Sequence, residues 1–86
     1  MSPLTIRRTI LHVVAAAKPY ALPQETLHQE VNRLVRPTLT LAELVKHLSW
    51  LNAQEMIGFL ADEMEPENAD ARKWSIREAG LVALQK

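Results

Sequence analysis

The chain has no cysteine in its 86 residues. That argues against a disulfide scaffold, a thiolate metal site or dithiol redox chemistry, and it fits a reducing compartment, the cytoplasm. Glycine is scarce, at two residues, so there is no glycine-rich loop to cradle a phosphate. Neither sign of charge is in excess: ten Lys and Arg balance ten Asp and Glu, with three His besides. This balance argues against a strongly basic nucleic-acid coat protein and against a polybasic membrane binder. No apolar run approaches the roughly 20 residues that cross a bilayer, and Met1-Ser2-Pro3 begins no signal peptide. What remains is ordinary for a globular chain, 48% hydrophobic and 23% charged, which argues against disorder. The length allows one domain, residues 1–86, with one core that buries roughly 60–65% of the unfolded surface.

Ser2-Pro3 forms a helix start, because Ser can cap the free amides and Pro tolerates the first helical position. Apolar residues then fall at Leu4, Ile6, Ile10, Leu11, Val13, Val14 and Ala17. That stripe is wider than one core-facing side requires. Lys18-Pro19-Tyr20 ends the helix, and Tyr20-Ala21-Leu22 reads as a short extended link. Pro23 opens a second helix, with Glu25 in its first turn and Leu27, Val31, Leu34 and Val35 on one face. Arg36-Pro37 closes it. Thr40-Leu41-Ala42-Glu43 reads as a capping box for a third helix that buries Leu41, Leu44, Val45, Leu48 and Leu51. The short turn Arg36 to Leu39 predicts a helix-turn-helix. The period then changes. Met56 to Ala61 and Lys73 to Ile76 are strand-like, and the polar stretch Asp62 to Asp70 between them predicts a hairpin with a long tip. Glu78 to Leu84 predicts a short closing helix with Leu81 and Leu84 inward.

The predicted fold is mainly α with a small β-hairpin, in the order helix, short strand, helix, helix, strand, wing, strand, helix. From Leu4 to Leu84 this order resembles the small winged helix-turn-helix proteins of bacteria, archaea and phages. The residues that carry the resemblance are Leu48 and Leu51, then Met56-Ile57, the hairpin, and Trp74-Ser75-Ile76-Arg77-Glu78-Ala79-Gly80. The chain departs from that pattern at Glu55, where glycine is usual after the third helix, and at Arg77, where threonine usually caps the last one. The resemblance implies binding to double-stranded DNA, with the third helix in the major groove and the wing on backbone or minor groove. It carries the DNA-contacting roles to Thr38, Thr40, Lys46, His47 and Trp50 on or before the third helix, and to Arg72 and Lys73 beside the wing.

Charge complicates that expectation. Residues 62–70 hold Asp62, Glu63, Glu65, Glu67 and Asp70 with no base, a local charge of −5, and carboxylates repel phosphate. Residues 1–60 carry +2 and residues 61–86 carry −2. The acidic tip therefore points away from a duplex, or serves as a solvated loop that keeps the sheet edge soluble. A basic patch could form from Arg7, Arg8, Arg33 and Arg36, although scattered arginines commonly serve solubility alone. Leu48 and Leu51 take the inward positions and push Trp50 toward the rim, where it would suit a protein contact. In the competing arrangement, which we favour, Trp50 folds back over the hairpin near Phe59 and completes a small core. Trp74 is assigned to the core.

No metal or cofactor is expected. His12, His28 and His47 lie on three different helices, and residues 62–70 lack the alternation of a calcium loop. No acid, base and nucleophile constellation emerges, so no enzymatic activity is expected. Two functions fit: a DNA-binding protein such as a small transcription regulator, or a protein–protein interaction module that uses Trp50 and the acidic wing. A DNA-binding module with so few cations is expected to act as a homodimer, with the broad apolar stripe of the first helix as its interface.

Overall fold

The computed structural model describes residues 2–85. Four helices, α1 (Pro3–Ala16), α2 (Gln24–Leu34), α3 (Leu41–Ala53) and α4 (Glu78–Leu84), pack with three short strands, β1 (Leu22–Pro23), β2 (Ile57–Leu60) and β3 (Lys73–Ile76). The sheet is antiparallel in the order β1-β3-β2, with Leu22 opposite Trp74 and Phe59 also opposite Trp74. The architecture is thus mainly helical with a small three-stranded sheet. Among the described residues, no helix is long and apolar enough to cross a membrane.

Helix α1 starts where Ser2 Oγ accepts from the Thr5 amide at 3.3 Å, with Pro3 in the first helical position. Its broad apolar stripe has an internal use. Ile6, Ile10, Leu11 and Val14 are buried, because α1 lies centrally and packs against α2, α3, α4 and β3. The stripe expected to hold a dimer together is thereby largely consumed by the domain's own core, leaving Leu4 exposed at one end.

Several placements differ from expectation. Pro23 belongs to β1 and caps α2 instead of occupying its first turn. Leu34 and Leu41 are exposed, because nothing covers the last turn of α2 or the first turn of α3 on those sides. Val45 is half-buried, whereas Leu44, Leu48 and Leu51 are fully enclosed. Trp50 does not fold over the hairpin. It is 39% exposed, and Phe59 packs instead on Trp74, with ring centroids 5.4 Å apart. Trp74 is core as expected, and its indole N–H donates to Gln24 Oε1 at 3.1 Å, which accounts for the one buried polar side chain among the described residues.

The exit from α3 is a Schellman turn. The Met56 amide donates to the Leu51 carbonyl and the Glu55 amide to the Asn52 carbonyl, both at 3.0 Å, and Glu55 takes φ 61°. Beyond β2, the polar segment is organised by its own side chains. Asp62 Oδ2 accepts from the amides of Met64 and Glu65 at 3.0 and 2.9 Å, and Asn68 caps a single 3-10 turn at Ala69–Ala71. Helix α4 starts at Arg77 with no side-chain cap. It docks through buried Gly80, where an added Cβ would lie 2.3 Å from the Met56 carbonyl oxygen and 2.7 Å from Ile76 Cδ1. Leu84 packs on the core, whereas Leu81 is half-buried.

Candidate nucleic-acid interface

Helix α3 is held at its start by two sets of contacts. Thr40 Oγ1 accepts from the Glu43 amide at 3.2 Å, and Glu43 Oε1 accepts from the Thr40 amide at 2.9 Å, completing the capping box. Hydrogen bonding from the Thr40 backbone amide, then from the Thr40 side chain, holds the Glu43 carboxyl below the usual carboxylate range. The second set clamps the α2–α3 turn around buried Leu39. Asn32 Oδ1 accepts from the Leu39 amide at 2.8 Å, and Asn32 Nδ2 donates to the Leu39 carbonyl at 3.0 Å. His28 Nε2 reaches the same carbonyl at 2.8 Å. A carbonyl oxygen can only accept, so this nitrogen carries the proton.

Three leucines on one side of α3 anchor it to the core, so the opposite side faces solvent. Ala42, Lys46, Ser49 and Ala53 are all exposed there. Lys46 supplies the permanent cation. His47 and Trp50 lie on the flank that faces α1 rather than on the outermost side. The Arg7 Nε donates to His47 Nδ1 at 3.3 Å, and its guanidinium carbon stands 3.9 Å from the centroid of a Trp50 ring. Partial burial, then the positive charges of Arg7 and Lys46, push the His47 pKa below its usual value, with Glu43 opposing. His47 is therefore a neutral acceptor for Arg7 near neutral pH.

The candidate residues are only partly gathered. Lys46, His47 and Trp50 share α3 with Thr40 at its start, and exposed Thr38 lies in the preceding turn. The Thr40 hydroxyl is occupied as a cap acceptor. Arg72 and Lys73 are at the hairpin instead. The Arg72 guanidinium lies 4.0 Å from the Phe59 ring centroid, and its carbonyl accepts from the Gln24 amide at 3.0 Å, which ties it to the sheet. Lys73 is exposed beside Leu60.

The four arginines of the suggested patch have separate partners. Arg33 pairs with Glu30, the one ion pair among the described residues. Arg36, just past the end of α2, bonds to the Asn32 and Val35 carbonyls. Arg7 turns toward α3, and Arg8 donates to the Ala83 carbonyl of α4 at 3.4 Å. Sequence spacing hid the Arg7 contact with α3, since its partner His47 is 40 residues away. Asn32 was equally hidden, as a polar residue near a helix end with no motif around it. Among the described residues, no group of three His, Cys, Asp or Glu is placed to hold a metal ion.

Comparison with protein-family models gave no match. Comparisons with curated proteins and with solved structures gave none either.

Proposed function

We propose that the chain is a winged helix that binds double-stranded DNA through α3, with the β2–β3 hairpin as its wing. The observation that carries this reading is the presentation of α3. The helix is fixed at its start by the Thr40 box and the Asn32 clamp, yet no other element covers Ala42, Lys46, Ser49 and Ala53. Small residues on an uncovered helix face let the backbone approach a groove closely, while Lys46 meets a phosphate. The helix order and antiparallel sheet support the winged-helix assignment. A small transcription regulator is the corresponding role.

Phosphate contact is limited to a few cations. Lys46, Arg72 and Lys73, joined by Arg7 beside Trp50, would neutralise about two to four phosphates, giving a salt slope of about −2 to −4. Replacing Lys46 and Arg72 together by Ala should weaken binding and bring that slope about two units closer to zero, read by anisotropy of a labelled duplex. An unchanged slope would remove both residues from the interface.

A second reading, a protein-contact module, is favoured by Trp50. An indole 39% exposed and stacked by Arg7 has the makings of an interface anchor. Trp50 and the acidic wing would then act as separate surfaces. Met56, at the start of β2, lines the hollow beside Trp50, whereas the acidic loop begins beyond the far end of that strand.

A further inference from the structure

We infer that the acidic hairpin loop of one copy docks into the hollow between α1, α3 and α4 of a second copy, with Met64 as the inserted side chain. The hollow has a volume of about 170 Å³ and is lined by Leu4, Arg7, Arg8, Trp50, Met56 and Ala83, among others. That is several times the ~30 Å³ share of one water molecule and suits an unbranched apolar side chain. Its lining is mostly apolar, and Arg7 and Arg8 contribute its two cations. Leu4, at one end, is 68% exposed.

Met64 meets the requirements of an occupant. It is 89% exposed, and the Asp62 carboxylate fixes its turn by accepting from the Met64 and Glu65 amides. Glu63 and Glu65 flank it in sequence. An exposed methionine between carboxylates is complementary to an apolar hollow between arginines. Charges on both sides lack an ion-pair partner within one chain: among the described residues the sole ion pair is Arg33–Glu30, while Arg7 donates to His47 and Arg8 to the Ala83 carbonyl. Neither Arg7 nor Arg8 has a carboxylate partner, and no wing carboxylate has a cation.

The loop cannot fill the hollow of its own chain. Met56 lines the hollow at the start of β2, and Met64 lies past the other end of that strand. Four strand residues at ~3.4 Å each place about 13 Å between the two sites. Met64 there borders a different hollow, with Leu60, Asp62 and Lys73. A two-fold axis would let each loop occupy the other copy's hollow, making the contact twice and closing the assembly. This inference does not rest on DNA binding and does not use the outer face of α3, although Arg7 and Trp50 line the hollow as well as flanking that helix.

Sedimentation velocity on the full chain, from about 1 to about 200 µM at low and high salt, tests it. The wild type should shift from monomer to dimer with concentration, less readily at high salt. Met64→Ser should weaken the dimer about tenfold, and the exposure of Met64 makes loss of folding no concern. Arg8→Glu and Glu63→Arg should each be monomeric alone. Mixed together they should form a heterodimer, since each hollow then meets a loop of opposite charge. A chain that is monomeric throughout overturns the inference. So does a dimer indifferent to Met64→Ser, which would place the contact at the other apolar hollow, beside Val13 and Leu34 of α1 and α2.

Discussion

Glu55 occupies the left-handed backbone position that ends α3, at φ 61°. A side chain there costs about 1–2 kcal/mol through contact with its own carbonyl, and glycine escapes the cost. Part of that gain is returned, because glycine loses more freedom on folding. Glu55→Gly should therefore stabilise the chain by about 0.5–1 kcal/mol, raising Tm by about 2–8 °C in a thermal melt. A lowered Tm would mean that the carboxylate has a role this geometry does not reveal. His47 provides the second residue-scale prediction. Burial and the charges of Arg7 and Lys46 depress its folded pKa, so the unfolded chain binds the proton more readily. Its contribution is favourable above the ordinary histidine value of about 6.5 and is lost as pH falls from there through the folded value. His47→Gln should thus flatten the fall in urea midpoint between about pH 7.5 and about pH 5.5. An unchanged fall would assign it to other groups. Glu43 acts in a lower window: its pKa is depressed, so its contribution is present above the ordinary carboxylate range and disappears as pH drops through its folded value.

At the scale of elements, the α2–α3 turn decides how α3 is presented. Asn32 satisfies both the amide and the carbonyl of Leu39, and His28 shares the carbonyl. Asn32→Ala leaves the Leu39 amide without that acceptor and should destabilise by about 1–2 kcal/mol. A thermal melt should fall by about 4–8 °C for each kcal/mol. DNA affinity should fall beyond what the unfolded fraction explains, because α3 loses its fixed start. Full stability with full affinity would show that the capping box alone suffices. Elements were also what the sequence revealed best. The Thr40–Glu43 spacing announced the start of α3, alternation at Trp74 and Ile76 announced β3, and the polar run 62–70 announced the loop. Each is a signal carried by a few adjacent residues. Leu34 and Leu41 were misplaced because helical periodicity identifies an apolar face without saying whether another element reaches it. Trp50 was misplaced for the converse reason: its cover comes from Arg7, 43 positions earlier. The pairing of Gln24 with Trp74 spans 50 positions and leaves no trace in local pattern.

For the molecule as a whole, zero net charge conceals an uneven distribution. The acids concentrate in the loop of residues 62–70, whereas Arg7, Lys46, Arg72 and Lys73 stand on α1, α3 and the hairpin. A duplex approaching the outer face of α3 would meet Lys46, whereas the acids of the loop follow β2 in the chain. Two copies would also present two α3 helices, raising the strength of an otherwise weak contact through simultaneous engagement. The candidate site was legible in the sequence as to its helix and its lysine, because helix phase alone sets Lys46 opposite Leu44 and Leu48. Its flank was not legible, since the Arg7, His47 and Trp50 stack exists only once α1 packs beside α3. The most direct measurement is fluorescence anisotropy of a labelled mixed-sequence duplex titrated with purified chain between about 50 and about 200 mM salt. DNA binding through α3 predicts micromolar or tighter association at the low end, weakening about tenfold to about two-hundredfold across the range. No binding at the lowest salt would contradict it and leave Trp50 and its hollow as the working surface.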